Sequence, residues 1–100
     1  MNPREERFYL VSYDVRDERR WRRLYRTLRG YGQWLQLSVF QCRLSRRRLV
    51  QLETAVREIV SHNEDHVLIV DLGPASGDAV PAVCSIGLPY QPPARLPVIV

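Results

Sequence analysis

Asp14 is the residue of this sequence best placed to do chemistry. It lies near the end of an apolar, aromatic and β-branched run, residues 8–15 (FYLVSYDV), and an arginine-loaded stretch follows it at once. A run of that composition is a strand, and an acid at its carboxyl end stands on the rim of a sheet. There its hard oxygens can take a divalent cation, magnesium or manganese, which activates water and neutralises a scissile phosphate. The chemistry on offer is therefore phosphodiester cleavage, with Asp14 as both metal ligand and catalytic group. One carboxylate is a poor ligand set, and a two-fold dimer with its strand ends meeting at the axis would supply a second Asp14. The competing role for Asp14 is a cap on the turn, which Asp17 also suits.

The second chemical signal is charge. All fifteen basic residues are arginine, and thirteen of them fall in residues 1–48 against five acids, whereas residues 49–100 hold two arginines and six acids. A net +8 half and a net −4 half in one small chain predict a cationic face for a polyanion, because guanidinium groups bind phosphate in two-pronged fashion. The expected contacts are Arg16, Arg19, Arg20, Arg23, Arg26, Arg46 and Arg47. No base-reading motif is present, so these contacts should be mainly to phosphates and tolerant of sequence. His62 and His66 stand four apart, but Asn63, Glu64 and Asp65 break the helix that a metal-binding pair at this spacing requires. There is no glycine-rich phosphate loop and no Ser-His-Asp pattern.

The elements that must position these groups are legible from periodicity. Alternation in the first strand puts Phe8, Leu10, Ser12 and Asp14 on one face and Tyr9, Val11, Tyr13 and Val15 on the other. Residues 1–6 read as a frayed tail. Asp17 caps a helix whose apolar stripe is Trp21, Leu24, Tyr25 and Leu28, with arginines over the rest of its circumference. Gly30 and Gly32 end it through the left-handed conformation glycine tolerates. Residues 33–44 form a second strand, long or bent into a hairpin, with Leu35, Leu37 and Val39 on one face and Trp34, Gln36, Ser38, Phe40 and Cys42 on the other. Ser45 caps a second helix with the stripe Leu49, Leu52, Val56, Ile59 and Val60, ending near His62 and Asn63. Residues 66–72 are a third strand, 73–81 a loop, 82–87 a short fourth strand, and 96–100 a terminal strand beyond a proline-rich link. Pattern alone favours the order βαβαββ.

One hundred residues make one domain, and a core that small gains from dimerisation. No apolar run approaches the ~20 residues of a membrane span, and MNPREER is too charged for a signal peptide, so no membrane partner and a cytoplasmic location are expected. Cys42 and Cys84 are isolated and are read as buried thiols.

Taken together, YLVSYDVRD, the basic helix ending in GYG, the SVFQC strand at residues 38–42 and the proline-containing link to a last apolar strand resemble the CRISPR-associated Cas-two family. The resemblance covers nearly the whole chain. It implies an α+β ferredoxin-like sandwich, an antiparallel sheet with two helices on one face: residues 1–88 would form the domain, and residues 89–100 the link and a strand pairing with the partner subunit. It further implies a homodimer that joins the CRISPR integrase subunit in spacer acquisition. It also implies metal-dependent endonuclease activity on duplex DNA or RNA, with Asp14 binding magnesium or manganese and Ser38 and Phe40 on the strand near that site. Gln41 stands where the family commonly has an acid. The alternative role is a non-catalytic scaffold holding DNA for the integrase.

Overall fold

A computed structural model describes residues 5–88 of the chain. The elements run β1 (Glu6–Asp14), α1 (Glu18–Arg29), β2 (Gly32–Gln36), β3 (Val39–Ser45), α2 (Arg46–Ile59) and β4 (His66–Ala75). The four strands form one antiparallel sheet in the order β2-β3-β1-β4. The fold is the ferredoxin-like α+β sandwich, βαββαβ, with both helices on one face. Tyr9, Val11 and Tyr13 of β1, Phe40, Cys42 and Leu44 of β3, and Leu24, Leu28, Leu52, Val56 and Ile59 of the helices form its core.

Local chemistry explains why the elements start where they do. The Asp17 carboxylate accepts from the Arg20 amide at 3.0 Å, and Ser45 Oγ accepts from the Arg48 amide at 3.2 Å, so each helix opens on a side chain that satisfies an otherwise orphaned donor. The stripe of α1 docks as expected, with Leu24, Tyr25 and Leu28 buried.

The 33–44 segment takes the hairpin alternative, so the order is not the βαβαββ that pattern alone favours: Leu37 and Ser38 form the turn between β2 and β3, and Leu37 takes a positive φ of 30°. Trp34 steadies the turn, its Nε1 donating to the Leu37 carbonyl at 3.2 Å. Trp34 and Phe40 pair across it, whereas Leu37 joins neither face and points to solvent. Several other expectations need correction. Gly30 ends α1 with φ −80°, so it needs no left-handed backbone. Gly32 belongs to β2, where a Cβ would collide with Cys42 Sγ and the Gln41 carbonyl. Glu6 is not frayed but opens β1 and holds Arg43 at 2.7 Å. Helix α2 stops at Ile59, before His62. The strand expected at 66–72 continues through Gly73 and Pro74 to Ala75, because it pairs with the full length of β1.

No strand forms at 82–87. That stretch is irregular and exposed, and Cys84 is exposed with it, while Cys42 is buried as expected. Apolar composition made it resemble a strand, but it has no partner strand among the described residues. The terminal strand at 96–100 and the proposed 89–100 link lie outside the described residues.

Candidate nucleic-acid site at the Asp14 rim

Strand β1 delivers Asp14 to the edge of the sheet, with 73% of its side chain exposed. The β1–β4 register sets His66 directly across from it, and directly opposed residues of antiparallel strands share a face, so the imidazole and the carboxylate lie on the same side of the sheet. Arg16 follows in the turn, 71% exposed, its Nε 3.9 Å from Asp14 Oδ1. The hairpin closes the other flank: the Tyr13 amide donates to the Ser38 carbonyl at 3.1 Å. Ser38 is thus a neighbour of the rim through its backbone. Phe40 is fully buried below it, packed 6.2 Å from the Tyr13 ring and 5.5 Å from Tyr25. It supports the floor and does not face a substrate. Burial raises the pKa of the Tyr13 hydroxyl, which has no hydrogen-bond partner among the described residues. The same cause pushes the Cys42 thiol up to about 11.

The arginines divide into three groups. Arg19, Arg23 and Arg26 are exposed on α1 and fall within about 60° of one another around the helix, forming one stripe. Arg46 and Arg47 are exposed at the start of α2. That start lies at the far end of the sheet from Asp14, because Ser45 pairs with Glu6, and eight residues of strand span about 26 Å. Arg48 meets the end of α1 there, donating to the Gly30 carbonyl at 3.2 Å and stacking over Tyr31 at 4.2 Å. The α1 stripe therefore leads from Arg16 at the rim toward Arg46 and Arg47.

Arg20 is different. Its Nε donates to Asp65 Oδ2 at 2.7 Å, and its Nη2 to Asp65 Oδ1 at 3.2 Å and Glu64 Oε1 at 3.0 Å. The two-pronged pair keeps the Arg20 guanidinium charged and, with backbone donors, holds the Asp65 carboxyl well below the usual carboxylate range. Arg20 is thus ion-paired to Asp65 and Glu64, unlike the exposed stripe beside it. Asp65 is the residue hardest to notice from sequence, since its partners Arg20 and Arg16 lie 45 and 49 residues away.

As a ligand set for magnesium or manganese, one chain does not fit. No group of three or more His, Cys, Asp or Glu side chains that could hold a metal occurs among the described residues, and the charge beside Asp14 is the Arg16 guanidinium. His62 and His66 belong to no such group. No helix among the described residues is long and apolar enough to cross a membrane.

Against known proteins, the family model for CRISPR associated protein Cas2 matches residues 7–78. A protein of Geobacter sulfurreducens called CRISPR-associated endoribonuclease Cas2 is 59% identical over 95 residues, covering 95% of this chain and 99% of that one. Among solved structures, a hypothetical protein from Thermus thermophilus superposes with a TM-score of 0.67 at 34% identity, over 85% of this chain and 99% of the other. Streptococcus pyogenes Cas2, crystallised at pH 6.5, gives 0.62 at 30% identity over 66% of this chain and 86% of that chain.

Proposed function

The chain belongs to the CRISPR-associated Cas2 family, and from that membership we propose that it is a homodimeric nucleic-acid-binding protein that cleaves phosphodiester bonds at the Asp14 rim. One observation carries this reading: an exposed carboxylate with an arginine beside it begins a cationic path along α1. A path of about 26 Å matches roughly eight base steps of a duplex backbone. Arg16 holds the phosphate to be cut, Arg19, Arg23 and Arg26 hold the flanking backbone, and Arg46 and Arg47 engage it at the far end. Asp14 orients the attacking water and accepts its proton as the phosphorus–oxygen bond to the leaving strand breaks. RNA is the favoured substrate, since the Geobacter relative is named an endoribonuclease.

The second copy enters through the uncovered face of the sheet, where Leu68, Val70 and Leu72 are exposed at 51%, 42% and 45%. Sheet-to-sheet pairing over that face puts two Asp14 carboxylates in one assembly. The expected magnesium or manganese depends on that second copy, so no step is routed through an ion here.

A second reading is favoured by the lone carboxylate: a scaffold that uses the same arginines to hold duplex DNA for the CRISPR integrase during spacer acquisition. Asp14→Asn tests the choice. With end-labelled single-stranded RNA and duplex DNA, with and without magnesium, the substitution should lower cleavage at least about 100-fold while leaving affinity within about twofold. Wild-type protein that binds both substrates and cuts neither sinks the nuclease reading, and support of spacer integration by Asp14→Asn would then establish the scaffold.

A further inference from the structure

Asp14 and Arg16 are both largely exposed, and among the described residues the ion pair their side chains make is the 3.9 Å one with each other. Packing therefore does little to fix either group, and preorganisation of the rim must come from its backbone. Two hydrogen bonds bracket that backbone. On one side the Tyr13 amide is held by the Ser38 carbonyl at 3.1 Å, and on the other the Arg16 amide donates to Asp65 Oδ1 at 2.9 Å.

We infer that Asp65, in the loop between α2 and β4, is the positioning residue of the Asp14–Arg16 rim, acting through the Arg16 amide and taking no part in the reaction. The inference rests on the nuclease reading of Asp14 given above. The side chain of Asp65 is wholly buried, with a relative accessibility of 0%. Burying a carboxylate is costly unless it is paired and hydrogen-bonded. Here Oδ1 accepts from the Arg16 amide and Arg20 Nη2, and Oδ2 accepts from Arg20 Nε and from the Ser61 amide at 2.8 Å.

Stapling α1 to this loop would need only the Arg20 fork. The bond to Arg16 does something else: it fixes the turn that leaves Asp14, from a residue adjacent to His66, the cross-strand neighbour of Asp14. Asp65 thus ties three chain segments to one point: the end of β1, the first turn of α1 and the start of β4. Misplacing a reacting group by about 1 Å can cost on the order of 100-fold in rate, so loss of this tether should register in turnover before it registers in affinity.

The experiment compares Asp65→Ala, which removes the oxygen that the Arg16 amide uses, with Leu52→Ala, a fully buried core truncation on α2 that lowers stability and takes no part in the rim's hydrogen bonds, in the full-length protein well below both melting temperatures. Cleavage of labelled RNA should show kcat reduced about 30-fold in Asp65→Ala with substrate Kd within about twofold, while Leu52→Ala keeps wild-type kcat. In wild type, hydrogen exchange at the Arg16 amide should be slow, and in Asp65→Ala fast. Equal impairment of the two variants, kcat within about threefold of wild type in Asp65→Ala, or an unprotected Arg16 amide in wild type would each overturn the positioning role. If Asp65→Ala does not fold, the wild-type exchange measurement can still overturn it. Wild-type cleavage by Asp14→Asn would instead withdraw the nuclease reading, and with it anything for Asp65 to position.

Discussion

On the helix side of the sheet, Tyr9, Val11 and Tyr13 of β1 lie beside Phe40, Cys42 and Leu44 of β3, and Leu24, Leu28, Leu52 and Val56 close over them until almost nothing is exposed. On the other side, alternate residues of the same strands meet solvent. Among the described residues, one end of that open face is covered. There Arg43 stacks over Phe8 at 5.8 Å and donates to the Gly77 carbonyl at 2.6 Å, and Val80 lines the same shallow cleft as Phe8, Gln41 and Arg43. The Asp14 end keeps Leu68 and Val70 open. One set of strands thus makes both a finished core and an unfinished surface, and the unfinished surface adjoins the rim. Burial on the first face supplies folding energy, while exposure on the second leaves apolar area for another molecule to cover.

The strongest way to break this contrast is to damage the finished face. Phe40→Ala removes a fully buried ring that touches Tyr13 and Tyr25, and should cost about 3–5 kcal/mol in urea or thermal unfolding. A loss under about 1 kcal/mol would mean the helix-side core is not what holds the sheet.

Next in size is Leu68→Glu on the open face. Because Leu68 is already half exposed in one chain, the substitution should change intrinsic monomer stability by under about 1 kcal/mol, yet it should abolish self-association in sedimentation experiments. A dimer that survives Leu68→Glu would put the second copy on some other surface.

The sequence disclosed the finished face far better than the unfinished one, for a physical reason. Apolar spacing along β1, α1 and α2 and the caps at Asp17 and Ser45 are local signals, each contained within a turn or two of chain. The hairpin stayed one of two alternatives because Leu37 and Ser38 include no glycine, proline or asparagine to mark the turn, and Leu37 adopts its positive φ with Trp34 bonded to its carbonyl. The stretch at 82–87 misled because apolar composition reports strand propensity, whereas a strand exists only with a partner. At the rim, Asp14 was legible from its place at a strand end. Asp65 was not, since nothing local distinguishes a buried, fork-bound carboxylate from the loop acids beside it. Arg20 shows the same limit: Arg19 and Arg20 are adjacent and identical, and only the fold turns one to solvent and the other to Asp65.

That last pair gives the smallest and sharpest of these tests. Arg19 and Arg23 are exposed on α1, so Arg19→Ala with Arg23→Ala should leave the unfolding curve unchanged within about 0.5 kcal/mol. If both contact phosphates of a duplex, the slope of log affinity against log salt should shrink by about 1.8, since each contact released contributes about 0.9. The loss should be the same for unrelated sequences, because phosphate contacts carry no base information. An unchanged salt slope would show that the exposed stripe of α1 is ordinary solvated surface, and would move the polyanion to the Arg46 and Arg47 end alone. A sequence-dependent loss would mean that α1 reads bases, which a row of guanidinium groups meeting only a backbone does not do.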